Sequence, residues 1–470
     1  MNGYVLVLIA YSLLLVAVGF VASRSVRTAS DFFVARRRLT TGLLFATLLA
    51  ANIGAGSTVG AAGLGYELGL SGWWWVGSAG IGSIILAFIV GPKLWRLAAQ
   101  YNLYTAGDYL QARYSRRVRG LVAGLLWLGT LAILAGQLIA IAWILNVVAG
   151  LSKPLGCILG GIVTMSYFTA GGLVSAAWVN SLQVIVKLSG FLLALPVALD
   201  RVGGWDGLSL HISRQVPHAD QFLSLTGIGL SRILAFLTLL APSFIVSPGL
   251  IQKVYGAKDV TAVRVGVGLN ACALLGFAFV PVLLGMAAAA VHPGLPNREL
   301  ALPTVMVTML PFWLGALALA AVFSAEVSTA DALLFMLATS LSKDLYQTFL
   351  RPDATEKDLL RVGRWAALAG GTAAVGLAIG LPSIIAALSI FYSLVSVALF
   401  VPILMGLLSR RSLANTAFTA IVVSVAATAF VHLGTSGAGF AGISPVALGI
   451  LISLVIMIAG LIIEGRSNRK

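Results

Sequence analysis

Charge is what this sequence has least of. Of 470 residues, 10% are Asp, Glu, Lys or Arg and 59% are hydrophobic, whereas soluble domains carry about 25% charged residues. A soluble globule is excluded. So is a disordered chain, because a sequence this apolar buries enough surface to offset its ordering entropy. Only two cysteines are present, Cys157 and Cys272, each inside an apolar stretch, so neither a disulfide framework nor a zinc site of cysteine spacing is available. The four histidines, His211, His218, His292 and His432, fall in or beside connecting segments without ligand spacing. Acidic residues number 15 against 30 Lys and Arg. In a soluble protein that excess would point to nucleic acid, but in so apolar a chain it must first be set against membrane topology.

What is abundant is apolar sequence of membrane-crossing length. A hydrocarbon core about 30 Å thick takes roughly 20 apolar residues as a helix, and thirteen stretches qualify: 3–22, 42–66, 72–94, 120–149, 155–171, 176–199, 226–250, 262–291, 303–340, 362–380, 382–408, 413–433 and 443–463. The first has no Lys or Arg before Arg24, so it lacks the basic start of a signal peptide and reads as a retained helix. Basic residues gather after the odd-numbered stretches: Arg24, Arg27 and Arg36 to Arg38, then Lys93, Arg96, Arg113, Arg116, Arg117 and Arg119, then Lys253, Lys258 and Arg264. Farther on come Lys343, Arg351, Lys357, Arg361 and Arg364, then Arg410 and Arg411, and the tail's Arg466, Arg469 and Lys470. The intervening segments hold only Lys153, Arg201, Arg214 and Arg298. This asymmetry predicts a multi-pass plasma-membrane protein with its N-terminus outside and its C-terminus cytoplasmic. The net charge of +15 is then explained by topology and anionic lipid, not by nucleic acid.

Two stretches are poor helix formers. Ala51-Asn52-Ile53-Gly54-Ala55-Gly56-Ser57-Thr58-Val59-Gly60, with Gly63 and Gly65 beyond, interrupts the second. Pro242 and Ser247-Pro248-Gly249 interrupt the seventh, five stretches later. Broken helices at matching places of two halves point to a secondary transporter built of inverted repeats, with its site near the bilayer midplane. Glycine and proline that merely permit close packing or a kink are the plainer alternative. The predicted division is a leading helix and loop over 1–41, a first repeat over 42–199, a second over 226–408 and two trailing helices with a tail over 409–470.

The ninth stretch carries a polar line, Ala325-Glu326-Val327-Ser328-Thr329-Ala330-Asp331. At about 100° per residue, Ala325, Ser328 and Thr329 share a helix face, with Glu326 and Asp331 flanking it. Two hydroxyls plus carbonyls freed by an unwound helix are what a small, hard cation requires. Ordinary interhelical hydrogen bonding is the alternative for the hydroxyls. A neutralised carboxyl at a packed interface is the alternative for Glu326 and Asp331. Lys187 lies too deep in the sixth stretch to snorkel and reads as a counter-charge to Glu326 or Asp331. No nucleophile-base arrangement and no His or Cys metal cluster falls in the stretches, so an intramembrane enzyme is not indicated.

At this point the chain resembles the sodium:solute symporter family. The pieces are Ser30-Asp31-Phe32-Phe33-Val34-Ala35-Arg36, Ala50-Ala51-Asn52-Ile53, Tyr104-Thr105 with Asp108-Tyr109-Leu110, Tyr167 with Gly171-Gly172-Leu173, and Ser328-Thr329-Ala330-Asp331 running on to Lys343-Asp344-Leu345-Tyr346. The resemblance covers nearly the whole chain and implies an all-α membrane protein of thirteen transmembrane helices, with the five-plus-five inverted repeat of the leucine transporter. It implies alternating access driven by sodium, with the ion held by carbonyls of Ala50, Ile53 and Ala325 and hydroxyls of Ser328 and Thr329. A second sodium site in some members uses an Asp where this chain reads Trp178-Val179-Asn180. Either Asp331 compensates or one sodium moves per cycle, and the latter is the simpler expectation.

Solute contacts are expected from Ser57, Thr58, Trp74, Gln137, Ser243, Ser247 and Tyr392, each of which could equally be bonded within helix packing. Sugar-carrying members show a Gln where Ser57 stands, which disfavours sugar. The expected solute is a small carboxylate or amino-acid-like compound, held by exposed N–H groups at a half-helix end. Asn180, Lys187, Glu326 and Asp331 are candidates for a coupling or second cation site. A proton-coupled carrier using Glu326 and Asp331 stays open. So does a transporter-like sensor, which would need a partner because the sequence ends a few residues past the last stretch.

Overall fold

In a computed structural model of the chain, residues 3–23, 39–409 and 413–467 are described, apart from the side chains at 19–23, 167–182 and 464–467. The loop piece Ser30 to Arg36, the basic residues from Arg24 to Arg38, and Arg410 and Arg411 lie outside the described residues. The side chains of Tyr167, Leu173 and Asn180 lie outside them as well.

Every named element is helical, as hydrocarbon surroundings demand of a chain whose backbone groups must pair internally. Among the described residues, ten helical stretches are long and apolar enough to cross a membrane, with shorter apolar helices at Gly3–Val18, Thr41–Asn52 and Lys153–Ser166. The division into thirteen is not reproduced one for one. Lys153–Arg201 runs as a single helix of 49 residues over two predicted spans, and Ala55–Tyr101 is one helical stretch over parts of two others, tightened at Ala55–Ser57 and Gly69–Gly72 and widened at Leu86–Val90. Hydropathy registers apolar content and says little about where a backbone turns.

The helix Phe312–Thr339 is buried along nearly all of its length and packs against Lys153–Arg201, Arg116–Ala149 and Gly3–Ser23. Without a hydrophobic drive between helices in lipid, close approach comes from small residues. A Cβ on Gly65 would lie 2.3 Å from the Val282 carbonyl oxygen, and one on Gly285 would lie 1.9 Å from that of Ala62. Val59–Leu68 and Phe279–Val291 therefore touch backbone to backbone. At Gly190 a Cβ would fall 2.3 Å from Ala321 Cβ, so Lys153–Arg201 and Phe312–Thr339 meet just as closely.

Polar ties hold the two ends of the bundle. At one end Arg119 pairs with Asp108 at 3.1 Å and with Asp344 at 2.5 Å, joining the segments around 104–110 and 343–346. At the other, Arg298 pairs with Glu67, and buried Glu299 accepts hydrogen bonds from the Ile384 N–H at 2.6 Å and Trp143 Nε1 at 2.8 Å. Burial pushes the Glu299 carboxyl above the ordinary carboxylate range, against those two donors. The folded protein therefore binds this proton more tightly than the unfolded chain does, so stability declines as pH rises from the ordinary range through the raised value. Glu299→Gln is expected to remove that slope, read as the thermal midpoint followed from acid to neutral pH. An unchanged slope would mean other groups produce it.

Candidate functional site

The early helix Thr41–Asn52 stops where the glycines begin. Ile53 (φ −94°, ψ 95°) and Gly54 (φ −145°, ψ −162°) are extended, Ala55–Ser57 makes one tight turn, and helix resumes at Val59–Leu68. The backbone groups freed by this interruption are re-paired by side chains, as burial requires. Ser57 Oγ accepts from the Gly54 N–H at 3.0 Å and faces the carbonyls of Asn52 and Gly54 at 3.0 and 3.1 Å. Gln137 Oε1 accepts from the Ala55 N–H at 2.8 Å. Thr58 Oγ1 lies 2.7 Å from Glu326 Oε1 and 3.0 Å from the Gly54 carbonyl. In the second half, Leu230–Val246 ends at Ser247, whose ψ of 125° is not helical, and Pro248–Tyr255 follows.

The oxygens named for a cation come together at this interruption. Ser328 Oγ lies 3.4 Å from the Ala50 carbonyl and 3.2 Å from that of Ala325, and Thr329 Oγ1 lies 3.4 Å from that of Ile53. Leu49, Ile53 and Ala325 form an apolar wall, with Phe45, Leu188 and Phe277 packed on it. In the middle stands a group that the sequence reading placed as a counter-charge and a candidate for a coupling or second cation site, not at these oxygens. Lys187, 2% exposed, donates from Nζ to Ser328 Oγ at 2.5 Å, to the Ala50 carbonyl at 3.1 Å and toward that of Ile53 at 3.5 Å.

Sodium fits this oxygen set in kind but not in space. A hard cation takes its oxygens at about 2.3–2.6 Å. An ion meeting the same three oxygens would therefore lie within roughly 3 Å of Nζ, where two unit charges at an effective dielectric of 20 repel by about 5 kcal/mol.

Glu326 is fully buried; its Oε1 accepts from Thr58 and its Oε2 has no hydrogen-bond partner among the described residues. Asp331 lies on the same helix, 1% exposed. One turn before Lys187, Gln183 is fully buried, with neither amide atom partnered among the described residues. Sequence reasoning missed it because a glutamine in an apolar stretch carries no charge signal.

The solute candidates divide. Ser57, Thr58 and Gln137 sit at the interruption. Trp74 does not: its Nε1 donates to the Leu225 carbonyl at 2.7 Å. It is Trp75 whose Nε1 would lie 3.3 Å from a Cβ on Gly56, and whose ring meets Tyr392 at 6.0 Å and Phe236 at 5.8 Å. Ser243 is buried and donates to the Leu240 carbonyl at 2.9 Å within its own helix, while Ser247 marks the later interruption. Leu388, not singled out by sequence, fills a notch between Gly56 and Gly136, where added Cβ atoms would fall 2.3 and 2.2 Å from it. Only tertiary packing could have revealed it. Separately, a cleft of about 460 Å³ opens at the Asp108–Arg119 end, lined by Gln252, Thr339, Lys343 and Gln347 among others.

A helical membrane bundle with polar side chains gathered on an interrupted helix has the build of a carrier. The chain belongs to the sodium:solute symporter family, whose model matches residues 32–424. It is 28% identical over 477 residues to the sodium/pantothenate symporter of Escherichia coli (strain K12), covering 97% of this chain and 95% of that protein. It is 25% identical over 460 residues to a sodium/glucose cotransporter of Vibrio parahaemolyticus, covering 90% and 83%. Its fold matches that of a Na+-coupled sialic acid symporter in a substrate-bound outward-open state, with a TM-score of 0.81 at 18% identity over 98% of this chain and 97% of that one. It also resembles Mhp1, a nucleobase-cation-symport-1 family transporter, with a TM-score of 0.61 at 15% identity over 93% and 95%. The family's members are symporters, not enzymes.

Proposed function

We propose that this chain carries a small organic solute across the cytoplasmic membrane in symport with a cation, one per cycle, by alternating access. Ten of thirteen spans would form two inverted repeats of five over 42–199 and 226–408, with one span before them and two after, and with the N-terminus outside. The observation that carries the reading is the meeting of Ser328 and Thr329 with the Ala50 and Ile53 carbonyls released by the interrupted helix. A cation placed there ties the early helix to Phe312–Thr339, so its arrival or departure biases the two faces of the carrier differently.

Sodium is the family's coupling ion and is the first candidate, with Ala50, Ile53, Ala325, Ser328 and Thr329 as its holders once Lys187 has withdrawn. Proton coupling is favoured by a different observation, the burial of Lys187 and Glu326 at the same spot. The solute reading is a carboxylate or amino-acid-like compound with an apolar side facing Trp75 and Tyr392. Its carboxylate would displace Gln137 from the Ala55 N–H. Uptake of a panel of amino acids and small carboxylates into proteoliposomes, under an inward sodium gradient and separately under an inward proton gradient, tests this. Accumulation of at least one solute under one gradient is expected, reduced by Ser328→Ala with Thr329→Ala. No gradient-driven accumulation of any would end the reading.

A further inference from the structure

Three donors of one ammonium meet, in this chain, the oxygens that the symport reading assigns to a free cation. We propose that Lys187 is a tethered cation seated among Ala50, Ile53, Ala325, Ser328 and Thr329, so that its ammonium stands where a free sodium ion would sit and closes this seat to sodium. The proposal rests on the symport reading for what the seat does, and on Lys187 alone for what fills it.

The geometry supports a seated ion more than a packing lysine. Nζ lies 2.5 Å from Ser328 Oγ, 3.1 Å from the Ala50 carbonyl and 3.5 Å from the Ile53 carbonyl. The early helix and Phe312–Thr339 are thus joined by one positive centre. The reach is set by Gly190, one turn beyond Lys187, whose missing side chain lets the carrying helix lie against Ala321. A lysine is a costly way to fill space here, since an apolar residue of similar volume packs without desolvating a charge.

The charged groups acting on Nζ are Glu326 and Asp331 from Phe312–Thr339 and Lys253 from Pro248–Tyr255. Thr41–Asn52 contributes no ionisable side chain. Lys253 is itself engaged, donating to the Thr47 carbonyl at 2.7 Å. As an ammonium, Lys187 brings one positive charge to the freed carbonyls.

Binding of radioactive sodium to the purified full-length protein in lipid nanodiscs tests this without any solute. The readout is the component lost on Ser328→Ala with Thr329→Ala. At neutral pH the parent is expected to show none, and Lys187→Ala is expected to acquire it, at about tenfold or more above the counts retained by Ser328→Ala with Thr329→Ala. Such a component already present in the parent at neutral pH overturns the proposal, as does a folded Lys187→Ala protein that gains none. If Lys187→Ala does not fold, Lys187→Val takes its place, and a folded Lys187→Val protein that gains none counts against the proposal. The symport reading fails by a different result, the absence of gradient-driven uptake.

Discussion

Gly54→Ala is expected to lower uptake by on the order of 100-fold while the protein still folds, because one methyl group displaces the junction on which the site depends. The reason is steric and not conformational: Gly54 is extended, a region open to any residue. Its Cβ would fall 2.4 Å from Thr329 Oγ1 and 2.9 Å from both Thr329 Cβ and Gln137 Oε1. Thr329 would have to retreat by about 1 Å, a misplacement that typically costs a functional site about 100-fold. Crowding of this kind destabilises by about 1–3 kcal/mol, within what a well-packed bundle tolerates. Gly276→Ala is the control, since nothing lies within 4 Å of a Cβ there. Near-parental uptake by Gly54→Ala, with the control also active, would show that contact between the interruption and Thr329 is dispensable.

Glu326 should separate two roles that are superposed in one side chain. Its Oε1 accepts from Thr58 across the interruption, and its charge acts on Lys187. Glu326→Ala deletes both and leaves a hole in a fully buried position, for which a loss of about 2–4 kcal/mol is expected. Glu326→Gln keeps an acceptor for Thr58 and the volume, so its thermal midpoint should fall clearly less than that of Glu326→Ala. It removes the charge, however, and a unit pair several ångströms apart at an effective dielectric of 20 contributes about 2 kcal/mol. Uptake by Glu326→Gln is therefore expected to fall roughly thirtyfold. Equal stabilities of the two variants would count against the Thr58 tie, and unchanged uptake by Glu326→Gln would count against the charge.

The interruption near residues 51–60 and the hydroxyls of Ser328 and Thr329 were legible because each signal is local, whereas their pairing with Ala50 and Ile53 was implied only by the family resemblance. A glycine-rich interruption frees carbonyls wherever it lies, and two hydroxyls one residue apart on an apolar helix have few partners besides another helix. Trp74 and Trp75 show the limit of that reasoning. They are adjacent and identical, and periodicity alone does not say which of them turns to the Leu225 carbonyl and which to Tyr392. Leu388 and Gln183 gave no signal, since an apolar residue in an apolar helix and an uncharged amide both pass as ordinary composition.

Composition and hydropathy by themselves settled that this chain is helical and lives in a bilayer, because in hydrocarbon the backbone has almost no other way to pair its polar groups. The glycine and proline interruptions were equally plain, being properties of a few adjacent residues. Which side chain meets the Ala50 carbonyl and the Ser328 hydroxyl was decided only by tertiary structure. Lys187 is 137 residues from Ala50 and 141 from Ser328, and no local rule relates positions so far apart. Its ammonium reaches those oxygens because Gly190 lets two helices approach until a lysine stem spans the gap, and that distance is a property of packing.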